Sequence, residues 1–208
     1  MEIPELNLFM MCREVDRRAS RPLPEGFRFR LCREDELGIW GKMNVDDPQH
    51  PTYMAGYFDQ VYAARREEFF RRCTFVCDGA DKPVATCFLW PAYGGRIHTV
   101  HWFKVLPGQE GKGLGRALLS HLFQGLGRDS MPLYLHTHPH CLRAVGLYAD
   151  FGFKLLQGPP VGGRPNDLQE AMPYLRAGMP KDIFARLQVT DTPQELLDAA
   201  ASAAHSEF

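Results

Sequence analysis

The sequence has no CxxC pair, no apolar run of membrane-spanning length and no surplus of positive charge. Its six cysteines (Cys12, Cys32, Cys73, Cys77, Cys87 and Cys141) are scattered over 208 residues without metal-finger or redox spacing. Glu2 and Glu5 stand where a secretory signal would be basic, so reduced thiols in a cytoplasmic protein are expected. The longest apolar runs, such as VATCFLW, fall far short of the roughly 20 residues that cross a bilayer, and no membrane partner is expected. A formal net charge of -1 carries no global footprint for nucleic acid. What the chain does have is 45% hydrophobic residues, enough for a sizeable core.

Along the chain, an apolar patch (LNLFMM) in residues 1–25 adds a strand or packs as an arm. FRFRL alternates at period two as a strand does, and REDELGIWGKM opens a helix with its acidic residues early. DDPQHPTYMAGYF carries too many breakers for regular structure, and FDQVYAARREEFFRR then reads as a second helix. The charges Arg65, Glu68 and Arg72 on it read as a solvated face with i to i+3 and i+4 pairs. CTFVCDG, PVATCFLWPAY and RIHTVHWFKVLP follow as three strands of an antiparallel meander. LGRALLSHLFQGL is an amphipathic helix, MPLYLHTH a strand, and CLRAVGLYADF a helix ending at Gly152. FKLLQ and QEAMPYLRAG read as two more strands around the loop GPPVGGRPND. In the tail, Thr192, Pro193 and Glu195 have the spacing of a helix start with a capping box. Strands interleaved with helices, without an internal repeat, imply one α/β (α+β) layer fold.

The stretch VLPGQEGKGLGRALL crowds Gly108, Gly111, Gly113 and Gly115 into one turn between a strand and a helix. Such a turn delivers bare backbone to a helix N-terminus, where unpaired amides and the positive dipole end favour an anion. A nucleoside-triphosphate loop would need a hydroxyl after Gly111-Lys112, but Gly113 follows. The dinucleotide fingerprint would need a glycine at 116, which is Arg116, and a βαβ start rather than a meander.

Val105-Leu106-Pro107-Gly108-Gln109-Glu110-Gly111-Lys112-Gly113-Leu114-Gly115 resembles the acetyl-CoA motif of the GNAT superfamily of N-acetyltransferases, and Ala144, Leu147, Tyr148, Gly152 and Phe153 stand in register with its second motif. The resemblance covers about residues 26–178, so the expected organisation is an N-terminal extension (1–25), a GNAT domain (26–178) and a C-terminal helical extension (179–208). The fold it implies is a mixed, mostly antiparallel central sheet flanked by helices.

The resemblance implies acetyl (acyl) transfer from acetyl-CoA to a primary amine of a small molecule or peptide, by direct attack on the thioester. Backbone amides of Gly111, Lys112, Gly113, Leu114, Gly115 and Arg116 would hold the cofactor, with Lys112 and Arg116 adding charge near its phosphates. Phe103, Lys104 and Val105 would pair its pantetheine arm and aim an N–H at the thioester oxygen, a donor worth roughly 3 kcal/mol in comparable sites. Tyr148 takes the place of the general acid, a role worth roughly 100- to 10,000-fold. His136 falls at the strand position where ribosomal-protein acetyltransferases carry a basic glutamate, and His101 is the rival base.

Two positions depart from the family pattern: Glu110 replaces Arg or Gln at the loop entry, and Cys141 replaces an Asn that contacts the cofactor arm. Both bear on affinity, and a non-catalytic CoA-binding or protein-interaction module on this fold is the alternative. In the acceptor pocket implied by the resemblance, Asp46 and Asp47 would draw a cationic amine while Tyr53, Tyr57 and Phe58 line an apolar slot. HTHPH is not read as a metal site, because side chains at i and i+2 of a strand lie about 7 Å apart and Pro139 bends His140 away. The alanine-rich end is read as a helix that packs on its own core, packs on a second copy in a homodimer, or frays.

Overall fold

The structure, a computed structural model, describes residues 4–44, 53–203 and 206–208. Its strands are β1 (Leu8–Cys12), β2 (Arg28–Leu31), β3 (Thr74–Cys77), β4 (Pro83–Ala92), β5 (Ile97–Val105), β6 (Leu133–Thr137), β7 (Lys154–Gln157) and β8 (Val189–Asp191). Its helices are α1 (Leu37–Asn44), α2 (Tyr53–Val61), α3 (Arg66–Arg72), α4 (Leu114–Phe123), α5 (Leu142–Asp150), α6 (Leu168–Gly178), α7 (Lys181–Phe184) and α8 (Gln194–Ala201). Among the described residues one 8-stranded sheet runs β2-β3-β4-β5-β6-β1-β7-β8. Pairing is antiparallel for β1 with β6 and β7 and along β2-β3-β4, and parallel for β5 with β6 and β7 with β8. This is the mixed, mostly antiparallel α/β fold that the sequence led us to expect.

The chain forms two compact units: Met1–Ala19, Pro91–Thr99 and Gly125–Phe208 make one; Ser20–Trp90 and Val100–Gln124 make the other. In the second unit an aromatic core gathers Trp40, Phe58, Tyr62, Phe69, Phe88 and Trp90, all buried. Edge-to-face packing dominates it, with Trp40–Phe69 centroids at 5.0 Å and Tyr62–Trp90 at 4.9 Å. The helix expected from Phe58 to Arg72 is broken. α2 already starts at Tyr53, inside the stretch expected to be irregular, and a 3₁₀ turn at Ala63–Arg65 separates it from α3. The break falls where Tyr62 enters the core at 0% exposure, while Arg65 lies over the Trp90 ring and pairs with Glu68 at 2.6 Å. Arg72 also pairs with Glu68, so the expected i to i+3 and i+4 charges do meet.

In the first unit, LFMMC of β1 is buried at every position, as a strand covered on both faces requires. It pairs Phe9 with His136 of β6 and Met10 with Leu155 of β7. Two expectations fail here. QEAMPYLRAG is not a strand but most of α6, which buries Leu168, Ala171 and Leu175 at helical spacing and accommodates Pro173 on its exposed side. Thr192 and Glu195 form no capping box at α8. The Thr192 hydroxyl donates to the Gln157 carbonyl at 2.9 Å, and Glu195 accepts the Tyr134 hydroxyl at 2.5 Å. Both side chains are spent fastening the helix to strands.

Candidate functional site

β5 carries the second unit's chain to the glycine turn, which is built from left-handed backbone at Gly108 (φ 79), Gly111 (φ 77) and Gly113 (φ 81). No atom lies within 4 Å of a Cβ built on Gly108 or Gly111, so these two are needed for conformation and leave the turn open. Gly115 is needed for space, since a Cβ there would stand 2.8 Å from the Phe103 ring of β5. The first helical bond of α4 runs from the Ala117 amide to the Gly113 carbonyl at 3.0 Å, so the amides of Leu114, Gly115 and Arg116 lie ahead of it. No acidic residue sits in the first turn, and its N-cap, Gly113, has no side chain to occupy it. Leu114, Ala117, Leu118 and Phe123 are buried on the face expected to pack. Lys112 donates to Gln109 Oε1 at 2.7 Å across the turn, and Glu110 is exposed. Backbone amides at an open turn ahead of a helix are chemistry that can hold an anion.

Upstream on β5, Phe103, Lys104 and Val105 are half-buried, and His101 is buried. His101 Nδ1 lies 2.5 Å from the Tyr62 hydroxyl, to which Trp102 Nε1 donates at 2.9 Å. Trp102 adopts φ 50, a left-handed conformation inside the strand. Burial pushes the Tyr62 phenol well above its ordinary range, so it stays protonated.

In the first unit, β6 presents His136, whose tautomer follows from its neighbours. The Asp167 carboxylate accepts from both the Asn7 amide (2.8 Å) and the Asn7 side-chain nitrogen (3.0 Å), which turns Asn7 Oδ1 to His136 Nε2 at 2.9 Å. A carbonyl only accepts, so the proton is on Nε2 and the lone pair on Nδ1. Burial, then the charge of His138, pushes the His136 pKa down to about 3, which keeps the ring neutral near pH 7 and makes it a weak base. His138 donates Nδ1–H to the Leu6 carbonyl at 2.9 Å and its ring stacks on His140 with centroids at 5.2 Å. Among the described residues no cluster of His, Cys, Asp or Glu is placed to hold a metal ion.

α5 opens just after Cys141, which is half-buried and whose carbonyl accepts the Val145 amide at 3.0 Å. Tyr148 is 5% exposed on this helix and packs on Phe153. Gly152 (φ 95) closes it, and a Cβ there would meet the Glu14 carbonyl at 2.8 Å. The motif around Tyr148 is therefore fixed from both sides within its own unit. Gly111 through Gly113 close the turn and Leu114 through Arg116 open α4, whereas His101 and His136 belong to different units. Tyr53, Tyr57 and Phe58 lie on α2; Asp46 and Asp47 fall outside the described residues. Sequence reasoning did not single out Asn7, Asp167 or the Tyr62 hydroxyl, whose roles depend on partners distant in the chain.

A glycine turn that opens a helix on a mostly antiparallel α/β sheet is the class of site these elements define. The Acetyltransferase (GNAT) family model matches residues 39–153, more than half of the chain, and the chain belongs to that family. The family's chemistry is acyl transfer, generally from acetyl-CoA to amines. A GNAT acetyltransferase from Colwellia psychrerythraea is similar in structure, with TM-score 0.52 and 14% identity over 74% of this chain and 54% of that one. A Drosophila protein is similar with TM-score 0.50 and 16% identity over 74% of this chain and 49% of that one. At such identities the likeness is one of fold, and the chain spans about half the length of these relatives. No curated protein matches the sequence. Among the described residues no helix is long and apolar enough to cross a membrane.

Proposed function

We propose that this chain moves an acetyl (acyl) group from acetyl-CoA to a primary amine of a small molecule or peptide, by direct transfer. The observation that carries this reading is the glycine cradle: left-handed Gly108, Gly111 and Gly113, with Gly115 packed on β5, ahead of the α4 amides. The amides of Gly111 through Arg116 bind the pyrophosphate, and Lys112 and Arg116 add charge beside it. Phe103, Lys104 and Val105 align the pantetheine arm, and an N–H of this segment stabilises the charge that develops on the thioester oxygen. Cys141, the N-cap of α5, occupies the position at which the family contacts that arm. The Tyr148 hydroxyl gives its proton to the departing thiolate. His136 and His101 are the two candidates for taking the amine's proton; His136 has its lone pair on Nδ1 but is a weak base, so its part is to orient a water that takes that proton.

Calorimetric titration of acetyl-CoA and of CoA under reducing conditions tests the cradle; stoichiometric micromolar binding is expected, and no binding would sink the reading. An amine screen by thiol release then tests transfer. The substitution of Cys141 for the family's usual Asn favours one other reading, a CoA-binding module without catalysis, and binding without turnover on any amine would select it.

A further inference from the structure

The loop between β7 and α6 brings two groups to β6. Its far end, Asp167, fixes His136 through Asn7. Its middle is a closed two-residue hairpin: Val161 and Arg164 exchange main-chain bonds at 2.9 and 3.0 Å around Gly162 (φ 58) and Gly163 (φ 80), the paired left-handed backbone of such a turn. Val161 is buried at 0% exposure, so Arg164 leaves an anchored backbone. Burial comes first in holding His136 and His138 neutral, and the Arg164 charge adds to it, which brings this guanidinium near β6.

What Arg164 holds is the chain itself. Its Nε donates to the Ser206 hydroxyl at 3.2 Å and its Nη2 to the main-chain oxygen of Phe208 at 3.1 Å. The Tyr93 hydroxyl accepts the Glu207 amide at 3.3 Å and also meets the Ser206 side chain, while the Phe208 amide turns back onto the Ser206 oxygen at 3.4 Å. The Phe208 ring stands edge-on to Phe9, with centroids at 5.6 Å, and to Tyr93, at 5.9 Å. Phe9 also meets the His136 ring at 5.1 Å, so the seat of Phe208 adjoins a candidate base. Tyr93 is buried at φ 52, a conformation that a bulky residue keeps only where its surroundings impose it. The bonds to the segment run from 3.1 to 3.4 Å, the long end of the hydrogen-bond range, and a cavity of about 480 Å³ lies beside it against Gly162, Gly163 and Ala200. The seat is built, and its occupant is loosely held.

We propose that this seat takes the acyl acceptor, an amine on an aromatic amino acid or peptide residue whose carbonyl is bound by Arg164 and whose ring enters between Phe9 and Tyr93, and that Ser206–Phe208 is its resident stand-in. The transfer rests on the acyl-transfer reading; the seat rests on the contacts above. The amine nitrogen forms an amide bond to the acyl carbon as the carbon–sulfur bond breaks. The sulfur leaves with the electron pair and takes the Tyr148 proton, and the amine's proton goes to the water that His136 orients.

N-acetylphenylalanine amide, which has the carbonyl and the ring but no free amine, tests the seat apart from catalysis. It is titrated into Phe208→Ala and followed by the His136 ring signals of histidine-labelled protein, assigned through the signal lost in His136→Gln. Saturable binding is expected at millimolar concentration, and none with N-acetylalanine amide. In the wild-type chain, where Phe208 competes at an effective concentration on the order of millimolar, binding should be several-fold weaker. Arg164→Gln added to Phe208→Ala should weaken it about tenfold. No saturable shift in Phe208→Ala, equal binding of the alanine compound, or equal affinity in the wild-type chain overturns the proposal. Thiol release by the wild-type chain needs no variant: kcat/KM for phenylalanine amide should exceed that for alanine amide and for phenethylamine about tenfold, and equal use of the three overturns it too. Binding of N-acetylphenylalanine amide without transfer to any amine would overturn the acyl-transfer reading and leave a peptide seat; transfer without that binding would overturn the seat alone.

Discussion

Gly113 and Gly115 stand two residues apart and are required for different reasons, which a pair of substitutions should separate. Gly115→Ala puts a methyl 2.8 Å from the Phe103 ring, so the start of α4 must move off β5; CoA affinity should fall at least tenfold in a calorimetric titration. Gly113→Ala meets only Pro24 at 3.9 Å, and its cost is backbone strain at φ 81, about 1 kcal/mol in a urea melt. Equal effects of the two on binding would contradict this division. Tyr148→Phe keeps the packing on Phe153 and removes one proton, so the transfer rate should drop at least tenfold while CoA binding holds. An unchanged rate would remove Tyr148 from the chemistry. The glycine turn and the helix that carries Tyr148 were legible because their requirements are local: backbone conformation in one turn and register within one motif. The Asp167–Asn7–His136 chain was not, because its members lie 160 and 129 residues apart and no local pattern marks them.

Among the elements, β2 to β5, α4, β6 and α5 were legible because each either repeats its apolar residues at one period or is an apolar run bounded by turn residues. α6 was misread because AMPYL is a short apolar run that shows no helical period by itself, while the face that packs, Leu168, Ala171 and Leu175, spans a longer window. Its Pro173 removes a backbone donor in the helix interior on an exposed side, so Pro173→Ala should raise unfolding free energy, by up to about 3 kcal/mol, in chemical denaturation. A loss of stability there would mean that the proline serves the helix in some other way. The tail helix shows the opposite error: its capping letters were present, but Thr192 and Glu195 found stronger use on Gln157 and Tyr134. Tertiary partners outbid the local motif.

For the whole molecule, acid stability should fall in two stages. His136 and His138 are held neutral, with pKa values below the ordinary 6.5, so the unfolded chain binds more protons as pH drops. Their contribution is full above about pH 6.5 and is lost below it, at up to about 1.4 kcal/mol per pH unit for each proton. Asp81, brought to about 2 chiefly by its hydrogen bond with Arg30, adds stability that is lost only below its ordinary 3.8. Urea melts at about pH 7, 6.2 and 5.5 should therefore show a decline before carboxylate protonation becomes appreciable; constant stability over that range would refute the histidine part. The placement of β1 has a consequence for synthesis. Leu8–Cys12 emerges from the ribosome ahead of β2 to β5, yet it pairs with β6 and β7, which are made long after those strands. Until Leu133 and the residues after it are made, five apolar side chains have no sheet to enter, and a nascent chain stalled before that point should be a client for chaperones.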